Sequence, residues 1–214
     1  MRHEIVADLI RRGAVAVIRM TDTERLLRVV EAICEGGVTA IEITMSVPRA
    51  FEMIEEVVRR LGDSALVGAG TVLDAETARL AIAAGARYVV SPVFKPEIIR
   101  TAHRYDVPAL PGAFTPTEIL AAHEAGADIV KVFPADVVGM TFFKAIKAPM
   151  PQLRLMPTGG VTLTNAGDWL RAGACAVGVG SALLDPKAIT EARWDKLTEN
   201  ARLLMASIRQ AREH

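Results

Sequence analysis

Lys131 is the only charged residue in the apolar run 129–133, which has the pattern of a buried strand. Because side chains alternate along a strand, Lys131 faces the same side as Ile129 and Phe133. A buried ammonium group is costly unless it is paired or the neutral amine is favoured. A neutral amine is what Schiff-base formation requires. Lys131 is therefore a candidate nucleophile, and the alternative is a lysine that only pairs with a carboxylate.

Glu42 is the only charged residue in a second apolar run, 39–44. Alternation places it on the same face as Ala40 and Thr44. A carboxyl group removed from water can exchange a proton near neutral pH, so Glu42 is a candidate acid–base group. The alternative is a buried salt bridge to Lys131 with no chemical role. Since one pair can serve both purposes, the sequence leaves both interpretations open.

Two glycine-bearing turns and one cation extend the candidate site. Segments 157–160 and 178–181 each stand at the end of a predicted strand. Backbone N–H groups in turns of this kind often bind phosphate, although ordinary tight turns have the same composition. Arg19 ends the first predicted strand and offers a fixed positive charge for a carboxylate. A surface ion pair is the alternative for Arg19.

These residues need a scaffold that brings the ends of several strands together. Short β-branched runs alternate with longer segments whose apolar residues have helical spacing, which is typical of a parallel α/β fold. The strand candidates are 14–19, 39–44, 65–70, 88–91, 108–111, 128–133, 154–157 and 176–179. The helix candidates are 4–12, 23–35, 50–61, 75–84, 96–105, 117–125, 142–147, 165–172 and 191–212. Asp22, Asp74 and Thr164 are predicted N-caps, and Pro96 and Pro116 suit first helical turns.

An internal repeat favours a closed sheet over an open one. Alternate helices end in similar small-residue corners, at 36–37, 84–86, 125–127 and 172–174, about two strand–helix units apart. Eight strands with this repeat predict a (βα)8 TIM barrel. An open dinucleotide-binding sheet would require a third glycine that the Gly-x-Gly segments lack. We therefore predict one α/β domain over residues 1–214, with an N-terminal helix and a long C-terminal helix.

Composition excludes several other classes of protein. The chain has 25 basic and 25 acidic residues, so it lacks the basic footprint of a nucleic-acid-binding protein. Its uncharged runs are too short for a membrane span, and charges interrupt the first apolar stretch, so we expect neither membrane association nor a signal peptide. The two cysteines form no motif and are expected to be small core residues, and the four histidines have no ligand spacing. We predict a cytoplasmic protein with no metal and no cofactor.

Six short sequence runs, spread from residue 37 to residue 161, together form a recognisable pattern. They are Gly37…Ile41-Glu42-Ile43-Thr44, Val67-Gly68-Ala69-Gly70-Thr71-Val72, Val89-Val90-Ser91-Pro92, Pro111-Gly112…Thr115-Pro116-Thr117-Glu118, Lys131-Val132-Phe133-Pro134-Ala135 and Pro157-Thr158-Gly159-Gly160-Val161. In these runs the chain resembles the 2-keto-3-deoxy-6-phosphogluconate (KDPG) aldolase and 4-hydroxy-2-oxoglutarate (KHG) aldolase family. Each run is only moderately specific, but six in order over one barrel are not expected by chance.

The resemblance implies a metal-free, homotrimeric class I aldolase. Its substrate would be a 2-keto-4-hydroxy acid, with KDPG as the first choice, cleaved to pyruvate and glyceraldehyde 3-phosphate. By the same resemblance Lys131 forms the Schiff base and Glu42 transfers protons. The expected substrate contacts are Arg19, Thr44, Thr71, Pro92, Phe133, Thr158, Gly159, Gly160, Gly180 and Ser181, the last four for a phosphate group.

One position departs from the family pattern. The enterobacterial branch carries an arginine four residues after the catalytic glutamate, where this chain has Ser46. Arg19 is expected to supply the missing cation, as a similar arginine on the first strand does in related aldolases.

Two other functions remain possible from the sequence. A phosphosugar epimerase or isomerase on the same barrel would use Glu42 as its base, but would not need Lys131 on the inner face. A catalytically idle trimeric scaffold or ligand-binding module would have little reason to keep two buried charges.

Overall fold

The computed structural model describes residues 1–213, in which parallel strands alternate with helices. The helices are α1 (Arg2–Arg12), α2 (Thr23–Glu35), α3 (Ala50–Leu61), α4 (Ala75–Ala83), α5 (Pro96–Arg104), α6 (Pro116–Glu124), α7 (Ala135–Lys147), α8 (Ala166–Arg171), α9 (Pro186–Thr190) and α10 (Trp194–Arg212). The strands are β1 (Ala14–Ile18), β2 (Ala40–Thr44), β3 (Leu66–Gly70), β4 (Val89–Val90), β5 (Ala109–Leu110), β6 (Gly112–Ala113), β7 (Val130–Val132), β8 (Leu155–Pro157) and β9 (Val177–Val179). None of the helices in this part of the chain is both long enough and apolar enough to cross a membrane.

The strands form a curled parallel sheet in two ladders. Six strands pair in the order β5-β4-β3-β2-β1-β9, and three pair in the order β6-β7-β8. Strands β5 and β6 belong to one extended segment and lie on either side of Pro111. Isolated parallel bridges join Leu155 to Ala174 and Thr158 to Gly178, between the β8 and β9 segments. The predicted α/β class with parallel strands is confirmed.

Alternate residues of each strand belong to two separate apolar clusters. On β2, Ile41 and Ile43 pack outward with residues of the surrounding helices. Ala40 packs inward, in a cluster that also contains Val6 and Leu9 of α1. Helix α1 therefore covers the end of the curled sheet at which the strands begin, and the other end is left for the polar residues.

Most predicted helix boundaries are confirmed. The Asp22 and Asp74 carboxylates accept hydrogen bonds from Arg25 N and Thr77 N at 3.1 Å and 2.6 Å, so both residues are N-caps. Pro96 and Pro116 occupy first-turn positions, also as predicted. The prediction for Thr164 is wrong, because Asn165 precedes the first residue of α8.

Two helices differ more strongly from the prediction. Helix α7 begins at Ala135 rather than 142, and Gly139 interrupts it with a left-handed φ of 71°. This break leaves too short a periodic segment before it to be recognised in the sequence. The closing helix α10 begins at Trp194 rather than 191, and Pro186–Thr190 forms a separate short helix capped by the Asp185 carboxylate.

Both cysteines are free thiols in apolar surroundings. Burial raises the pKa of Cys34 and of Cys175 to about 11. Because the reactive form of a thiol is the thiolate, these pKa values make both side chains unreactive at neutral pH. Both side chains are half-buried and pack against the apolar clusters, so the expectation that they are small core residues is met in part.

Candidate active site

Lys131 and Glu42 meet on the inner face of the curled sheet. Lys131, on β7, is 5% exposed, and Glu42, on β2, is fully buried. The Lys131 Nζ atom lies 3.8 Å from Glu42 Oε1. Ile129 belongs to the inner cluster and Val130 to the outer one, so the predicted alternation around Lys131 is confirmed. The arrangement contains the predicted ion pair, in an interior where water does not screen it.

Glycines make room for the polar side chains. A methyl group added at Gly70 would overlap Oε1 of Glu42, and one added at Gly178 would overlap the Thr158 hydroxyl. Both glycines lie on strands that pair with the neighbouring polar strand, through Thr44–Gly70 and Thr158–Gly178. The space around the buried carboxylate therefore depends on the absence of a side chain on the next strand.

Several buried polar atoms near this pair have no hydrogen-bond partner within residues 1–213. They include both carboxylate oxygens of Glu42, the Thr158 hydroxyl and the Tyr88 hydroxyl. An unsatisfied buried polar group costs about 1–3 kcal/mol, so such groups rarely persist without water or a ligand. The two Glu42 oxygens lie next to buried Lys131, and this placement favours a site that binds a polar molecule.

Tyr88 is the residue of this group that sequence reasoning missed. Its ring packs against Gly68, where an added methyl group would overlap it, and Gly68 is the β3 partner of Glu42. Burial, followed by the negative charge of Glu42, raises the pKa of the Tyr88 hydroxyl well above its usual value. The signal was available, since Tyr88 is the one hydroxyl-bearing aromatic residue within a predicted strand.

Phe133 and Pro92 border Lys131 on its solvent side. The Lys131 Nζ atom lies 5.3 Å from the centroid of the Phe133 ring, which is within cation–π range for an ammonium group. Phe133 is 39% exposed, so the ring lies between the buried pair and solvent. Pro92 is brought close by Gly112, whose missing side chain lets the Pro92 backbone approach. Both residues are therefore placed to border a molecule held at Lys131.

Arg19 and Thr44 are linked through Ser46 rather than through an ion pair. Arg19 Nε donates a hydrogen bond of 3.1 Å to Ser46 Oγ, and Ser46 Oγ lies 3.0 Å from Thr44 Oγ1. Thr44 is fully buried and shares the inner face with Glu42, as predicted. Within residues 1–213 the Arg19 guanidinium has no carboxylate at salt-bridge distance, so the alternative of a surface ion pair is wrong for that part of the chain.

The two glycine turns have different surroundings. Gly180 and Ser181 line a cavity of about 540 Å³ together with Arg19. Gly159 and Gly160 have left-handed φ values of 98° and 70°, and a methyl group added at Gly159 would lie 2.8 Å from an Asp136 carboxylate oxygen. A carboxylate repels an anion, so the turn at Gly180 and Ser181 is the more favourable of the two for a phosphate.

Thr71 lies apart from the Arg19 cavity. It lines a second cavity of about 450 Å³, with Arg49 and Asp74 among its other residues. The Thr71 backbone is left-handed, with φ 57°, which is unusual for a residue branched at Cβ. Strained backbone of this kind tends to occur at functional sites. The structure therefore does not bring Thr71 together with Arg19 and Ser181 in one cavity.

Comparisons with known proteins agree on one family. A family model described as KDPG and KHG aldolase matches residues 6–200. The chain is 42% identical over 177 residues to the probable 2-dehydro-3-deoxy-6-phosphogalactonate aldolase of Rhizobium meliloti, covering 82% of this chain and 83% of that protein. It is 35% identical to the 2-dehydro-3-deoxy-phosphogluconate aldolase of Pseudomonas aeruginosa, covering 96% and 94%. The structure of KDPG aldolase from Legionella pneumophila, with pyruvate captured as a covalent carbinolamine, matches with a TM-score of 0.86 at 29% identity, covering 95% and 98%.

Proposed function

The chain belongs to the KDPG and KHG aldolase family of carbon–carbon lyases, and from this premise we propose that it cleaves a phosphorylated 2-keto-4-hydroxy acid through a Schiff base on Lys131. The observation that carries the proposal is the buried pair of Lys131 and Glu42, with 3.8 Å between Nζ and Oε1. An epimerase or isomerase would need the carboxylate but not the amine. An idle scaffold would need neither, and would bear the cost of burying both.

The proposed reaction begins at the C2 ketone. Glu42 takes a proton from Lys131, the neutral amine adds to C2, and loss of water gives an iminium ion. Glu42, directly or through water, moves the protons of these steps. Glu42 then takes the proton of the C4 hydroxyl, the C3–C4 bond breaks, and C4 leaves as an aldehyde. The bond's electron pair forms an enamine, which is protonated at C3 and hydrolysed to pyruvate and the free amine.

The remaining predicted contacts divide between the two ends of the substrate. Phe133, Pro92, Thr44 and Thr158 border the carbons next to Lys131, and Thr71 is proposed for the pyruvyl carboxylate. Gly159, Gly160, Gly180 and Ser181 are proposed to hold the phosphate, as expected from the sequence. Arg19, which the sequence analysis offered to a carboxylate, is proposed here for the phosphate end instead. The cavity shared by Arg19, Gly180 and Ser181 supports this end most strongly.

The configuration of the substrate at C4 has two candidates. The sequence analysis favours KDPG, the gluconate derivative. The relative from Rhizobium meliloti, at 42% identity, is named for the galactonate derivative, which supports that epimer as a second candidate. Measuring kcat/KM for both epimers and for 4-hydroxy-2-oxoglutarate distinguishes these substrates.

The proposal extends to the architecture around the site. We infer that the two ladders form a single closed eight-stranded barrel in one domain, 1–214. Hydrogen bonds from Asp128 N, just before β7, to Ala109 O of β5 (3.1 Å) and from Cys175 N to Leu155 O (2.9 Å) support closure on either side of the shorter ladder. The family resemblance supports a cytoplasmic homotrimer. Association of chains is also consistent with four apolar side chains that are exposed beyond the strand ends: Leu73, Val93, Phe114 and Val137. Light scattering checks the trimer.

Borohydride reduction in the presence of pyruvate tests the covalent step. We expect intact mass to show one reduced pyruvyl group per chain and peptide mapping to place it on Lys131. Lys131→Met should lose the label and reduce turnover on the order of 10⁶-fold, the scale seen when a covalent nucleophile is removed. Lys144→Met, at a lysine of α7, is the matched control and should label normally. Labelling elsewhere, or no label on the unaltered chain, contradicts the proposed function.

A further inference from the structure

We propose that Ser46 is a positioning residue that holds the Arg19 guanidinium, with Thr44 behind it, for the phosphate end of the substrate. This inference rests on the proposed function. Arg19 stands one residue beyond β1 and Ser46 two residues beyond β2, and these strands pair through Ile18 and Ile43. The two side chains therefore meet because of sheet register, not because of closeness in the sequence.

The hydrogen bonds form a chain that leads into the buried interior. Ser46 Oγ accepts from Arg19 Nε at 3.1 Å, so its own proton is free to be donated to Thr44 Oγ1 at 3.0 Å. Thr44 is fully buried, so it has little freedom to move and anchors the inner end of the chain. An exposed arginine loses substantial rotamer freedom when it is fixed. The hydrogen bond to Ser46 already restricts the Arg19 rotamers in the free protein, so less conformational entropy is lost when a ligand binds.

The geometry leaves the binding end of Arg19 available. A guanidinium has five N–H donors, and the bond to Ser46 uses only the one on Nε. The four donors on the two terminal nitrogens can still form the paired contact that suits a phosphate group. No carboxylate within residues 1–213 lies at salt-bridge distance to compete for them.

The position of Arg19 indicates the phosphate end rather than the pyruvyl end. Arg19, Gly180 and Ser181 line one cavity of about 540 Å³, and Thr71 lines another. Strand β1 also pairs with β9, which brings Gly180 within 3.8 Å of the Val17 carbonyl, measured from an added methyl group. Arg19 is thus a direct neighbour of the turn with the better surroundings for an anion.

Ser46→Ala tests this role through a split between KM and kcat. Losing one hydrogen bond that orients Arg19 should raise KM for the phosphorylated substrate roughly 3–10-fold and change kcat by less than about twofold. Ser46→Thr, which keeps the hydroxyl, should restore most of the affinity. Ser64→Ala, at an exposed serine before β3, is the matched control at the opposite end of the strands. An unchanged KM in Ser46→Ala would overturn the proposal.

A double-mutant cycle tests whether Ser46 acts through Arg19. In the Arg19→Ala background, Ser46→Ala should have no further effect on KM, because the group that it positions is gone. Equal fold-changes in both backgrounds would show an independent role and overturn the inference.

Two measurements that do not depend on turnover separate this inference from the proposed function. By calorimetry, glycerol 3-phosphate should bind roughly 3–10-fold more weakly to Ser46→Ala than to the unaltered protein, and this probe needs no Schiff base. The pyruvate concentration that half-saturates borohydride labelling should be unchanged, since pyruvate has no phosphate. Weaker pyruvate labelling with unchanged phosphate binding would place Arg19 at the carboxylate and overturn the assignment. Loss of labelling in the unaltered protein would instead contradict the Schiff-base proposal alone.

Discussion

The two ends of the curled sheet differ in chemistry, although the same strands build both. At the closed end, under α1, the inner residues are apolar: Val15, Ala40, Leu66, Leu110, Ile129, Met156 and Ala176. Two residues further along each strand, at the open end, the inner positions are Val17, Glu42, Gly68, Gly112, Lys131, Thr158 and Gly178. Charged, hydroxyl-bearing and glycine residues thus occupy six of these seven positions, and Val17 remains apolar. The β4 segment is an exception, because its inner residues Tyr88 and Val90 both belong to the apolar cluster.

This difference separates stability from function. At the closed end, side chains fill the interior and remove apolar surface from water, which stabilises the fold. At the open end, glycines leave space, and four polar atoms of Glu42, Thr158 and Tyr88 accept or donate no hydrogen bond within residues 1–213. Those atoms weaken the fold unless a polar molecule binds there. The closed end therefore supports an open end that is built for a ligand rather than for packing.

Glu42→Gln is the change with the largest expected effect on this comparison. The variant keeps the size of the side chain but removes the group that transfers protons, so turnover should fall roughly 10²–10⁴-fold. Pyruvate should still label Lys131 when incubation is long, although more slowly, and the fold should be retained by circular dichroism. Glu55→Gln, on the exposed face of α3, is the matched control. Near-normal turnover in Glu42→Gln would mean that another group moves the protons.

Leu9→Ala tests the closed end. Leu9 is fully buried in the cluster between α1 and the sheet, so the cavity should lower the free energy of unfolding by about 2–5 kcal/mol. Urea unfolding at one fixed protein concentration measures this, because association shifts apparent stability. Leu203→Ala, at a leucine that is 46% exposed on α10, should cost less than about 0.5 kcal/mol.

The turnover of Leu9→Ala is expected to change little, in contrast to its stability. Well below the unfolding transition, Leu9→Ala should keep kcat within about twofold of the unaltered enzyme, because its effect lies in stability rather than at the site. A large loss of turnover in a folded Leu9→Ala protein would show that the two ends are coupled, and the separation argued above would be wrong.

The sequence alone predicted the parts of the site that depend on strand alternation. Lys131 and Glu42 each interrupt an apolar run, and a period of two is enough to place them on the inner face. The caps at Asp22 and Asp74 were also predictable, because they depend on residues only three positions away. Local patterns of this kind can be read without knowledge of the neighbouring elements.

Contacts between distant segments could not be predicted in this way. The link from Arg19 to Ser46 depends on the register of β1 and β2, and the space beside Glu42 depends on Gly70 of the next strand. Helix α7 was underestimated because Gly139 interrupts it with a backbone conformation that no pattern of apolar residues reveals. For Ser46 and Gly70 the missing information was which residue lies alongside in space, and for Gly139 it was the conformation of the backbone.

Tyr88 lies at the boundary between the two ends, and the smallest effect is expected there. Its ring belongs to the apolar cluster of the closed end, whereas its unpaired hydroxyl is influenced by Glu42. Tyr88→Phe removes only that hydroxyl, so the free energy of unfolding should stay the same or rise by up to about 1 kcal/mol, because an unsatisfied buried group is lost. Turnover should remain within about twofold, since the raised pKa keeps the hydroxyl protonated and unsuited to accept a proton. Urea unfolding and a pH profile of kcat check both expectations. A tenfold loss of turnover with a displaced pH profile would show that the Tyr88 hydroxyl takes part in the reaction. Tyr88 would then belong to the open end of the sheet rather than to the closed end.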